Sequence, residues 1–153
     1  MRDLRSALWR AAGLALLALV MAACGVKAPI LAVDGLKVGD MGITGVALDV
    51  RFRVRNPNPE PLTIDRMEYE LFVNGNRLGR GFDSKGLPLE GFGEGKVQSR
   101  VDVNFLALPG AVKDVLHQDR VKARVKGHFY TSGHYGNKRL GFDADAEVNL
   151  HDR

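Results

Sequence analysis

From Val46 to Arg55 the chain alternates apolar and polar positions. Val46, Leu48, Val50, Phe52 and Val54 fall on one parity, and Ala47, Asp49, Arg51, Arg53 and Arg55 on the other. Successive side chains of an extended strand point to opposite faces, so this period of two predicts a half-buried strand with a charged outer face. The run Asn56-Pro57-Asn58-Pro59-Glu60-Pro61 ends it, because proline has no N–H for a sheet ladder and asparagine closes side-chain turns. A second strand is predicted from Leu62 to about Val73. Leu62 and Ile64 sit on one parity and Met67, Tyr69, Leu71 and Val73 on the other, so a bulge is expected near Asp65. Asn74-Gly75 best accommodates the positive φ angles of a type I′ turn, which returns the chain as a partner strand from Asn76 to Gly81.

A glycine-rich stretch follows to Gly95. Val97, Val101, Val103 and Phe105 then alternate with Gln98, Arg100, Asp102 and Asn104 in another strand. Between Pro109 and about Gln118 the spacing of Val112, Val115 and Leu116 is helical, with proline where a first turn tolerates it, so one short helix is predicted. The last two alternations, Val121 to Phe129 and Leu140 to Leu150, test each other. A hairpin turning between His134 and Tyr135 sets Lys126 opposite Asp143, Arg124 opposite Asp145 and Lys122 opposite Glu147. Val125 then meets Ala144, and Val121 meets Val148, on the inner face.

About seven strands, one helix and no strand–helix–strand rhythm indicate an all-β fold, an antiparallel sandwich of the immunoglobulin or fibronectin type III kind. At 153 residues the chain suits a single domain. The start of the chain reads differently. Arg2, Arg5 and Arg10 precede an apolar run from Ala11 to Val20 and the small-residue end Met21-Ala22-Ala23-Cys24, the layout of an export signal and too short to span a bilayer. Its last four residues resemble the lipobox of bacterial lipoproteins, which implies cleavage before Cys24 and lipid attachment to it. The expected organisation is a signal peptide over 1–23, a lipidated tether over 24–33 and the sandwich over 34–153. Gly25 lacks the aspartate that resembles an inner-membrane retention signal, which points to a periplasmic-side anchor in the outer membrane.

Removal of the signal changes the charge. The formal +4 falls to +2, with 19 basic and 17 acidic residues, so a nucleic-acid partner loses its main support. Cys24 is the only cysteine, and the exported domain has no internal disulfide. The four histidines, His117, His128, His134 and His151, show no recognised metal spacing, although His128 and His134 can approach each other across the last hairpin. No serine lies in a nucleophile elbow, and the glycine-rich stretches do not join a strand to a helix as phosphate loops do. No catalytic residue, metal or cofactor is expected. The basic face Arg51, Arg53 and Arg55 has two readings: contact with anionic headgroups beneath a lipid-tethered domain, or a solvated face paired with Glu68 and Glu70.

The sequence Val54-Arg55-Asn56-Pro57-Asn58-Pro59, then Leu62-Thr63-Ile64, then Tyr69-Glu70-Leu71-Phe72-Val73-Asn74-Gly75, resembles the LEA type 2 family, also called the WHy domain. The resemblance covers most of residues 34–150, with Asn56, Pro57 and Asn58 matching the family's Asn-Pro-Asn motif. It implies a fibronectin-like sandwich, no catalytic residues, and an association with desiccation or other stress in which proteins or membranes are protected. The motif's structural role, ending a strand, is sufficient to explain it. The function expected is therefore a non-enzymatic, lipid-anchored envelope protein with a stress-protective or chaperone-like domain. Its partners would be the membrane, through Cys24, and client proteins or lipids. The alternative is a module that binds an apolar ligand, such as a lipid between its sheets, or a specific envelope partner.

Overall fold

The computed structural model describes residues 25–104, 106 and 118–150. The expected signal segment, Cys24, the expected helix up to residue 117, His117 and His151 lie outside the described residues. Among the described residues there are eight strands and no helix. One sheet runs in the order β1 (Ile30–Met41), β2 (Gly45–Arg55), β6 (Glu94–Asn104). The other runs β4 (Asn76–Asp83), β3 (Leu62–Val73), β7 (Arg120–Gly133), β8 (Lys138–Asn149), with the short β5 (Leu87–Leu89) paired to the start of β3. All pairings are antiparallel. The expected two-sheet, all-β sandwich is the fold observed.

The alternating positions decide which residues face inward. Leu48, Val50, Phe52 and Val54 of β2 are buried against Met67, Tyr69, Leu71 and Val73 of β3 in one apolar cluster that takes residues from both sheets. Phe52 and Tyr69 meet across the interface as a T-shaped pair with centroids 5.1 Å apart, the arrangement that the positive ring edge and negative face favour. β3 shifts register against β7 between Ile64 and Arg66, the bulge expected at Asp65. Asn74 and Gly75 both take positive φ, +49° and +81°, and close the β3–β4 hairpin as their sequence requires. The β7–β8 register also agrees residue by residue: Lys126 faces Asp143, Arg124 faces Asp145, Lys122 faces Glu147, and Val121 faces Val148.

Two strands were not legible. β1 begins at Ile30 and buries Leu31, Val33 and Leu36, so the chain is already in a sheet within the stretch assigned to the tether. Its parity changes at Asp34, where the β1–β2 register shifts, and that hides the period of two. β5 is three residues long with a central proline, too short to show any period. Both sheets run between the same two ends. The first gathers the close of β2, the start of β3 and the β5–β6 connection. The second gathers the β1–β2 and β3–β4 turns.

Candidate functional site

The first end is organised by the Asn-Pro-Asn motif. Asn56 and Asn58 are completely or almost completely buried, unusual for asparagine unless every polar atom is satisfied. The Asn56 amide nitrogen donates to the carbonyls of Glu60 at 2.9 Å and Glu90 at 3.0 Å. Its oxygen accepts from the backbone N–H of Asn58 at 2.9 Å and from the Asn58 side-chain amide at 3.0 Å. The Asn58 side chain in turn pairs with a peptide unit near the start of the described chain, accepting from the Lys27 N–H and donating to the Lys27 carbonyl, both at 2.8 Å. The Asn58 carbonyl accepts from the Phe92 N–H and the Gly93 carbonyl from the Asn56 N–H, each at 2.9 Å.

The two asparagines thus tie three segments: the stretch before β1, the β2–β3 loop and the β5–β6 turn. The prolines keep the loop from continuing as a strand. Gly91 passes so close to the Pro59 carbonyl that a Cβ there would overlap it. Phe92 takes φ +58°, a left-handed conformation rare for an aromatic residue, and the residue is 61% exposed. The sequence marked Asn56 and Asn58 only as a strand terminator. Lys27, Glu60, Glu90 and Phe92 were missed, because all four contribute only backbone atoms to the clip and residue type carries no signal for that.

The basic face lies on β2, but its partners differ from those expected. Arg53 is held by Asp34 of β1, with Nη2 2.6 Å from Oδ1, and reaches Glu94 at 3.9 Å. The Asp34 hydrogen bond, then its charge, raises the Arg53 pKa further. Glu68 and Glu70 are on the other sheet. Glu68 pairs with Arg66 at 3.3 Å, and Glu70 with Arg77 at 2.8 Å and Arg80 at 3.5 Å. The pairing with Glu68 and Glu70 is therefore corrected: it required β3 to lie beside β2 in one sheet, whereas β1 holds that place. Arg51 lies over Gly35, and Arg55 is exposed at the Asn-Pro-Asn end, opposite Ile30 and Glu94.

His128 and His134 each have a separate neighbour. The Nδ1 of His128 is 3.3 Å from Arg139 Nη2, and the His134 ring meets Tyr135 edge-on at 5.3 Å. Among the described residues no three His, Cys, Asp or Glu side chains converge as metal ligands. An open groove of about 910 Å³ crosses the outer face of the larger sheet between Phe82, Glu68, His128, Lys126 and Asp143. Its charges are largely engaged with one another. Arg124 makes a two-point contact with Asp143 at 2.8 and 2.6 Å, which holds the Asp143 carboxyl below its ordinary range. The Arg77 hydrogen bond does the same for Glu70.

The family model for late embryogenesis abundant proteins, LEA_2, matches residues 51–146, from the basic face of β2 into the second half of β8. The chain belongs to the LEA_2 family. This is a stress-related and generally non-enzymatic family. No curated protein matches the sequence. Among solved structures, a protein of Arabidopsis thaliana superposes with a TM-score of 0.60 at 16% identity, covering 82% of this chain and 84% of its own, and shares the fold. A protein from Archaeoglobus fulgidus aligns at TM-score 0.48 and 13% identity, over 84% of this chain and 100% of its own. A putative late embryogenesis abundant protein aligns at 0.43 and 16%, over 81% and 72%. In this LEA_2 chain the Asn-Pro-Asn motif is thus a buried clip as well as a strand terminator.

Proposed function

We propose that this LEA_2 chain is a non-enzymatic lipoprotein of the bacterial cell envelope, anchored through Cys24 on the periplasmic side of the outer membrane, and that its sandwich protects neighbouring proteins or membrane under water stress. The family match over residues 51–146 is the observation that carries the protective role. The basic start, short apolar run and Met21-Ala22-Ala23-Cys24 ending support the anchor.

The physics of the surface is compatible with work at low water content. The outer faces of both sheets carry close charge pairs, among them Arg53–Asp34, Arg100–Asp49 at 3.1 Å and Arg124–Asp143. Such exposed pairs contribute little in dilute solution. Coulomb attraction varies inversely with the dielectric constant, so these contacts tighten as water is withdrawn.

The test dries or freezes a fragile enzyme with residues 25–153, or with an equal mass of an unrelated β-sandwich. Excess recovery of enzyme activity with this chain supports protection. Recovery no better than the control removes the protective role. Lipids retained by the gently purified chain, seen by mass spectrometry, would move the reading to an apolar-ligand carrier.

A further inference from the structure

The clip at Asn58 acts on the stretch that leads to the anchor. Both polar backbone atoms of Lys27 are held by the Asn58 side chain, Pro29 is buried and Val26 is half-buried. Only Gly25 and Val26 separate Lys27 from Cys24. Three Cα–Cα steps reach at most about 11 Å, a third of the roughly 33 Å that β2 spans between the two ends of the sandwich. The stretch expected to be a loose tether of ten residues is, from Lys27 onward, part of the folded domain.

The same asparagine presents an apolar point at this end. Its carbonyl fixes the Phe92 N–H, and the turn so formed holds the Phe92 ring in solvent at the cost of left-handed backbone. Ile30, the first residue of β1, is 56% exposed at the same end, and Arg55 faces it across the β1–β2 pair. Aromatic and aliphatic side chains beside a cation suit the boundary between headgroups and acyl chains.

Resting on the lipoprotein reading, we infer that the Asn56–Asn58 clip sets how the anchored domain meets the membrane: the end bearing Phe92 and Ile30 is held against the bilayer, with the Phe92 ring in the headgroup–acyl boundary. The opposite end, with the fully exposed Ile43, points away. β2 spans the two ends with eleven residues, which separates them by about 33 Å.

The full chain is expressed in a bacterium that processes lipoproteins, purified and reconstituted into phosphatidylethanolamine–phosphatidylglycerol vesicles brominated near the glycerol end of the acyl chains. Trp9 is the only tryptophan and lies in the segment expected to be cleaved, so Phe92→Trp gives a single reporter in the mature protein. Mass spectrometry of the N-terminal fragment first reads the lipid on Cys24. Phe92→Trp should then show a blue shift and lose most of its emission to the brominated lipid, while Ile43→Trp keeps its own. A Gly/Ser linker of about twelve residues inserted between Gly25 and Val26 leaves the clip untouched and should restore the Phe92→Trp emission. Ile30→Trp supplies a second reporter in which the turn at Phe92 is unchanged, and should be quenched likewise. An unlipidated Cys24 overturns the anchor reading and this inference with it. A lipidated chain with unquenched Phe92→Trp and Ile30→Trp, or with quenching that survives the linker, overturns this inference alone.

Discussion

The side-chain amide of Asn58 pairs with the peptide unit of Lys27 as one strand pairs with another, giving one hydrogen bond and taking one, across a sequence separation of 31 residues. Asn58→Ala removes both bonds and leaves the Lys27 groups to water. We expect the Lys27 amide to exchange its hydrogen much faster in this variant. Global stability should fall by about 1–3 kcal/mol, because the amide of Asn56 loses a buried partner as well. Amide hydrogen exchange, with urea unfolding alongside, checks both.

Asn56 separates hydrogen bonding from shape. Its nitrogen faces two carbonyls, those of Glu60 and Glu90, while its oxygen faces two donors of Asn58. Asn56→Asp keeps size and acceptor but turns an oxygen toward both carbonyls in a buried site. It should therefore destabilise more than Asn56→Ala, which is expected to cost about 3 kcal/mol. The opposite order in urea unfolding would refute the assignment of the amide's two ends.

Gly91→Ala places a Cβ on the Pro59 carbonyl, which is backbone and cannot swing aside. A loss of about 2 kcal/mol is expected, accompanied by chemical-shift changes in the 56–61 loop.

Burial pushes the Tyr69 hydroxyl up to about 12. Ser99 lies near enough to oppose this slightly, but its hydroxyl donates to the Phe82 carbonyl at 3.2 Å, and among the described residues no partner completes a hydrogen bond with the Tyr69 oxygen. A folded pKa above the unfolded one means that the stabilising contribution is complete below about pH 10 and is lost as pH rises through about 12. Over that window the wild type should lose on the order of 2 kcal/mol more than Tyr69→Phe. At neutral pH the two should be nearly equal, since the substitution removes a buried hydroxyl without a bond.

The Arg124–Asp143 contact predicts the reverse slope at the other end of the scale. Its hydrogen bond holds the Asp143 pKa below the unfolded value, so its contribution is present above the ordinary carboxylate range and is lost as pH falls through the lowered value. A double-mutant cycle with Arg124→Ala and Asp143→Ala should give a small favourable coupling at neutral pH. That coupling should shrink with added salt and vanish in acid.

The strands with unbroken alternation were legible, and so was the bulge at Asp65, because a parity switch leaves apolar residues on both sides of it. β1 was not, since its switch at Asp34 breaks the alternation and its first residues, from Ile30 to Val33, fall in the stretch read as a tether. Losing β1 also lost Asp34, the partner of Arg53. In the last hairpin the register was readable but the contacts were not: Arg124 faces Asp145 and bonds Asp143, two residues along the strand on the diagonal, because a long guanidinium reaches past its direct neighbour. The clip was hidden for a different reason. Its partners are peptide groups, which every residue carries.

The irregularity that concealed β1 has a consequence for crowding. β1 forms an outer edge of its sheet, where unpaired backbone groups invite a strand from another molecule. Its pairing with β2 is interrupted at Asp34 and again between Val38 and Met41, and the carboxylates of Asp34 and Asp40 are drawn to Arg53 and Arg100. A second copy pressed against this edge finds no straight run of donors and acceptors on which to grow. When the protein is concentrated, the kinked border makes β1 a poorer template for strand addition than an unbroken edge would be.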